Sequence, residues 1–128
     1  MEPLEILVVE DEGSVREIVS EYLTVAGHHV TATARGAAAL RLLVAGGPRF
    51  DAAVIDWHLP GISGRDVIDS FHERHPRAAV LVCTGSNERE LGSVNDSFDV
   101  VFKPFSLRDL NARIIAGVRD VRRRHSIS

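Results

Sequence analysis

Five short apolar runs rich in branched residues, separated by helix-period segments, constrain this chain more than any other feature. They cover residues 4–9, 29–33, 51–55, 78–83 and 98–102. Runs of this length suit strands, and 4–9 and 51–55 are apolar on both parities, as in strands buried on both faces. After the first run, Val15, Ile18, Val19, Tyr22 and Leu23 recur at helical spacing and form one stripe, with Gly27 as a stop. Residues 36–45 are Ala/Leu-rich and end at Gly46-Gly47-Pro48. Ser63 caps a helix carrying Val67, Ile68 and Phe71, which His75-Pro76 ends. Residues 85–97 are polar, and the helix expected there is weakly patterned. Ser106 caps a last helix with Leu107, Leu110, Ile114, Val118 and Val121 on one face. Strands alternating with helices in this way predict an α/β fold. Its parallel sheet is doubly wound, with right-handed crossovers and helices on both faces.

With 128 residues, no internal repeat and no linker, the chain is expected to form one domain over 1–121, followed by a basic tail, 122–128. At 45% hydrophobic and 26% charged residues it is neither a disordered segment nor a fibre. No apolar run reaches the roughly 18 residues of a membrane span. The acidic start, Met1-Glu2-Pro3-Leu4-Glu5, does not resemble a secretory signal. The single cysteine, Cys83, excludes an internal disulfide, and a cytoplasmic location is expected. A net charge of −3 gives no general attraction to nucleic acid. The Arg119–Arg124 run lacks interleaved aromatics and reads as a solvated helix end.

In an open parallel sheet, ligands collect beyond the carboxyl ends of the strands. Glu10, Asp11 and Glu12 follow the first run, Asp56 the third, Thr84 the fourth and Lys103 the fifth. Acids gathered at one edge either raise one another's pKa or recruit a cation. Oxygen donors with room for water suit Mg²⁺. Lys103 is the sole lysine beside fourteen arginines, which favours a specific use for an ammonium. The set suits attachment of a phosphoryl group to a carboxylate, a transfer that needs alignment and charge neutralisation.

Four segments, in order and each at the end of its strand, carry a resemblance to a known family. They are ILVVEDE at 6–12, VIDWHLPGISG at 54–64, VLVCTG at 80–85 and FKPFS at 102–106. The chain resembles the CheY-like receiver domains of bacterial two-component response regulators. The resemblance implies a five-stranded sheet in the order 2-1-3-4-5. It implies that Asp56 accepts the phosphoryl group. Asp11 would bind Mg²⁺ directly, Glu10 through water, and the backbone carbonyl of His58 would complete the metal shell. Lys103 would contact the phosphoryl group and Thr84 would be the hydroxyl that moves toward it. A cis Lys103-Pro104 bond is expected. The phosphoryl donor would be a histidine kinase or a histidine phosphotransfer protein, and the catalysis would be confined to the domain's own phosphorylation and dephosphorylation. The protein is expected to act as a monomer or weak dimer, alone, as a relay, or as the N-terminal part of a longer DNA-binding regulator.

Blander readings stand beside these. Glu12 is expected outside the metal shell, Cys83 in the core, and His28, His29, His72 and His75 on the surface. The His58 side chain is expected to border the site. Val100 stands where the family carries an aromatic, and Phe102 is expected on the opposite face of its strand. A receiver-like scaffold that is never phosphorylated is therefore one alternative. An aspartate-nucleophile phosphatase would want a second acid at position 58, where His58 stands. A flavin module would want a Ser/Thr/Gly-rich loop where the three acids lie.

Overall fold

A computed structural model describes residues 2–85, 92 and 98–126. The elements run β1 (Glu5–Val9), α1 (Gly13–Val25), β2 (His29–Thr33), α2 (Gly36–Val44), β3 (Ala52–Asp56), α3 (Gly64–Arg74), β4 (Ala79–Thr84), β5 (Asp99–Phe102) and α4 (Leu107–Ser126). The helix expected within 85–97 falls, apart from residues 85 and 92, outside the described residues.

All four strand pairs are parallel and the order is β2-β1-β3-β4-β5, as the resemblance implied. The strands form because their side chains fill both faces of the sheet. On one face Ile6, Val8, Val54, Leu81 and Val101 pack against Val19 and Leu23 of α1 and Leu110, Ile114 and Val118 of α4. On the other, Leu7, Val9, Ala53, Ile55 and Val82 pack against Ala39 and Leu43 of α2 and Val67, Ile68 and Phe71 of α3. Fully burying one such Leu, Ile or Val stabilises by about 1.5–3 kcal/mol. Central β3 is buried along its whole length, whereas edge strand β2 is half exposed.

The expected caps are present. Ser63 Oγ accepts from the Asp66 amide at 3.2 Å, and Ser106 Oγ from the Asp109 amide at 3.1 Å. The last helix continues through Arg122, which reaches Asp51 at 3.3 Å, and on to Ser126. Asp51 in turn accepts from the Glu5 amide at 2.8 Å, so the far end of α4 is tied to the N-terminal rim of the sheet.

Three local expectations are corrected. His28 is 6% exposed. Its Nδ1 accepts from the Leu4 amide at 3.2 Å and its Nε2 faces Asn111 Oδ1 at 3.1 Å. A histidine just after a helix stop is buried here because β1 starts and α4 passes beside it. His75 is half-buried, stacked on Phe71 with ring centroids 5.0 Å apart. Burial, with Arg49 and Arg74 nearby, holds its pKa below the usual value. His29 and His72 are exposed, as expected. Third, Val100 and Phe102 pack toward the same cluster, because side chains two apart share a face. Ile18, counted in the α1 stripe, is 54% exposed at its edge.

Candidate phosphoryl-accepting site

The strand ends deliver the side chains. Asp56 is the last residue of β3 and pairs with Cys83, and Thr84 is the next residue along β4. The Trp57 amide donates to the Cys83 carbonyl at 2.8 Å, which holds the chain straight past Asp56. The register of β4 with β5 sets Thr84 beside Phe102, and the Lys103 amide donates to the Thr84 carbonyl at 2.8 Å. Glu10 follows β1, anchored by its amide to the Thr33 carbonyl at 3.1 Å. The expected cis bond at Lys103-Pro104 is present.

These elements bring the predicted residues together. Carboxylate oxygens of Glu10, Asp11 and Asp56 lie within 4.8 Å of one another. Glu10 and Asp56 are buried, at 4% and 5% exposure, while Asp11 is exposed. The Lys103 ammonium lies 2.6 Å from Glu10 Oε1 and 3.3 Å from Asp56 Oδ2. The His58 amide donates to Asp56 Oδ1 at 3.1 Å. Thr84 is fully buried at the end of β4. The His58 side chain is exposed. Glu12 is exposed, and its amide donates to Glu10 Oε2 at 3.2 Å.

The electrostatics follow from this crowding. Burial and the hydrogen bond and charge of Glu10 push Asp56 up to about 7, although Lys103 and the His58 amide oppose the rise. Burial also opposes the charge on Glu10, but its hydrogen bonds with Asp56, Lys103 and the Glu12 amide outweigh it and hold this carboxyl low. Burial likewise opposes the charge on Lys103, and the two acids overcome it and hold its pKa above the usual value. Buried Cys83 is pushed up to about 12, chiefly by desolvation, which makes it a core residue. The site thus has more carboxylate than one ammonium neutralises. Its donors are oxygens, and one acid is open to solvent, a set that fits a small hard cation such as Mg²⁺.

Sequence reasoning missed two supports of this pocket. A Cβ on Gly64 would lie 2.5 Å from the Asp56 carbonyl oxygen and 2.7 Å from that of Trp57, so only glycine lets α3 begin so close behind the acceptor. Its place directly after the Ser63 cap was the available signal. Arg16 reaches back from α1 to donate to the Glu10 carbonyl at 3.1 Å. An arginine on an exposed-looking helix turn carries no sequence mark of such a contact.

A parallel five-stranded sheet with an acid pocket and one lysine at its carboxyl edge defines a receiver fold. The chain belongs to the response regulator receiver domain family, whose model matches residues 6–115. It is a receiver of two-component signalling. Among curated relatives it is 33% identical over 121 residues to the "Probable transcriptional regulatory protein TcrX" of Mycobacterium tuberculosis, covering 92% of this chain and 51% of that protein. It is also 33% identical over 120 residues to the response regulator MprA of Mycolicibacterium vanbaalenii, covering 91% of this chain and 51% of MprA. The chain therefore spans about half the length of these relatives. Among solved structures, a response regulator receiver protein from Sinorhizobium medicae superposes with a TM-score of 0.84 at 25% identity, covering 94% of this chain and 98% of that one. No described helix is long and apolar enough to cross a membrane.

Proposed function

We propose that this receiver accepts a phosphoryl group on Asp56 from a phosphohistidine, carried by a histidine kinase or a histidine phosphotransfer protein. One observation carries the reading: a buried carboxylate is placed between two acids and a lysine that contacts it. In the transfer, an ionised Asp56 oxygen attacks phosphorus and the phosphorus–nitrogen bond breaks. The imidazole keeps the electron pair and takes up a proton. Lys103 offsets charge on the phosphoryl oxygens, and the Thr84 hydroxyl donates a hydrogen bond to one of them. The His58 amide orients Asp56. Hydrolysis reverses the modification, with water attacking phosphorus and releasing inorganic phosphate. The exposed His58 ring borders the water's approach.

Asp11 would hold Mg²⁺ directly, Glu10 largely through water, and Asp56 and the His58 carbonyl would complete the set. Magnesium, when bound, neutralises the acids and the incoming phosphate oxygens. Chemistry is confined to the domain's own aspartyl phosphate, and the output is a change in protein contacts. The receiver unit is residues 1–121, with the basic end of α4 beyond it. It works in the cytoplasm as a monomer or weak dimer, alone or as the first half of a longer DNA-binding regulator.

The test is intact-mass analysis after treatment with acetyl phosphate and magnesium. Wild type should gain one phosphoryl group, and Asp56→Asn none. Labelling that persists in Asp56→Asn, or is absent from wild type, overturns the assignment. The second outcome would favour the unphosphorylated scaffold, for which Val100 in place of an aromatic is the one supporting feature.

A further inference from the structure

We infer that Arg16 is a positioning residue for the magnesium site, an assignment that rests on the metal reading above. The turn joining β1 to α1 carries Glu10, Asp11 and Glu12 in succession, and so sets three negative charges side by side. Helix α1 begins without a side-chain cap at Glu12. Two hydrogen bonds close the turn instead. One runs from the Glu12 amide to the Glu10 carboxylate at 3.2 Å. The other runs from Arg16 Nη1 to the Glu10 backbone carbonyl at 3.1 Å.

The two differ in what happens when a cation arrives. The Glu10 carboxylate is part of the acid cluster, so its bond to the Glu12 amide competes with metal or its water. The backbone carbonyl of Glu10 is no part of the cluster, so the Arg16 bond survives. Arg16 is half-buried, and its guanidinium folds back over Gly13, where an added Cβ would meet Nη2 at 3.6 Å. It ties α1 back to the turn and holds the backbone that presents Asp11. Hydrogen-bonded partners behind metal ligands commonly govern affinity in this way.

Charge and geometry predict opposite signs for its removal. Arg16 is a cation near a cation site, so if it acted by charge alone its loss would tighten magnesium binding. If it acts by holding the turn, its loss loosens binding. The experiment measures magnesium affinity by Trp57 fluorescence and by calorimetry. It compares wild type, Arg16→Met, Arg16→Lys, and Arg41→Met as a charge-matched control at an exposed position of α2. Amide hydrogen exchange of residues 10–12 is followed in metal-free protein, and urea midpoints report folding. The expected result is about tenfold weaker magnesium binding in Arg16→Met, partial recovery in Arg16→Lys, no change in Arg41→Met, and faster exchange of the turn in Arg16→Met. Equal or tighter binding by Arg16→Met, with wild type binding magnesium, overturns the role of Arg16 alone. A wild type that binds no magnesium overturns the metal reading and this role with it.

Discussion

Replacing Asp56 by asparagine should stabilise the metal-free protein at alkaline pH, even though it destroys the proposed acceptor. Asp56 is buried beside Glu10, and its pKa is raised from 3.8 to about 7. A carboxyl raised in the folded state contributes stability that is complete below its unfolded value and is lost as pH rises through the folded value. At about 1.4 kcal/mol per pH unit, the rise sets a ceiling of about 4 kcal/mol on the loss in wild type by pH 8. The amide bears no charge and escapes this loss. Glu10 works in the opposite direction, since its lowered pKa contributes stability above its ordinary value. Part of that contribution comes from the hydrogen bond with Asp56, so the net gain is about 2–4 kcal/mol. Urea unfolding in EDTA at pH 8 and pH 5 measures it. Asp56→Asn should exceed wild type at pH 8, and the gap should shrink to at most about 1.7 kcal/mol at pH 5, where the folded carboxyl is protonated but the unfolded one is already ionised. Magnesium at a hundred times its dissociation constant should then add about 2.7 kcal/mol to wild type and much less to the variant. A variant no more stable than wild type at pH 8, or a gap independent of pH, refutes the reasoning.

Lys103→Met should destabilise the metal-free protein by about 2 kcal/mol at pH 8 and less at pH 5, because it leaves Glu10 and Asp56 without their ammonium; calorimetric melting at the two pH values checks it. Gly64→Ala should cost about 1–3 kcal/mol, since the new Cβ must push aside the Asp56 and Trp57 backbone. Acetyl phosphate labelling of that variant should be slower than of wild type, and unchanged labelling would show that the shift does not reach the carboxylate. His28→Ala should cost about 1–3 kcal/mol by stranding the buried Leu4 amide, with magnesium affinity intact, because His28 lies at the opposite rim of the sheet.

Much of this pocket could be read before any coordinates, for a physical reason. A strand buried on both faces ends where its apolar run ends, so the polar residues after it must lie at the sheet edge. The structure sets Glu10, Asp11, Asp56 and Lys103 together at that edge. The end of β3 itself fell one residue later than its apolar run, because Asp56 stays in the ladder opposite Cys83. What could not be read depends on elements distant in the chain. His28 meets Asn111 across 83 positions, and no local pattern marks that contact. Gly64 is dictated by the path of the chain behind Asp56. The error over Phe102 was one of parity: residues 100 and 102 alternate together, and the aromatic ring lies on the Thr84 side of the sheet.

The two packing clusters lie on opposite faces of the sheet, and the strands between them are all they have in common. A change of side-chain volume beneath α2 and α3 should be felt first on that side of the sheet. The acid pocket belongs to neither layer, since the tips of the strands build it. Solvent-facing helix positions other than Arg16 and Gly64, which reach the strand tips, can therefore be resurfaced, one layer at a time, for new associates without retuning the chemistry at the rim.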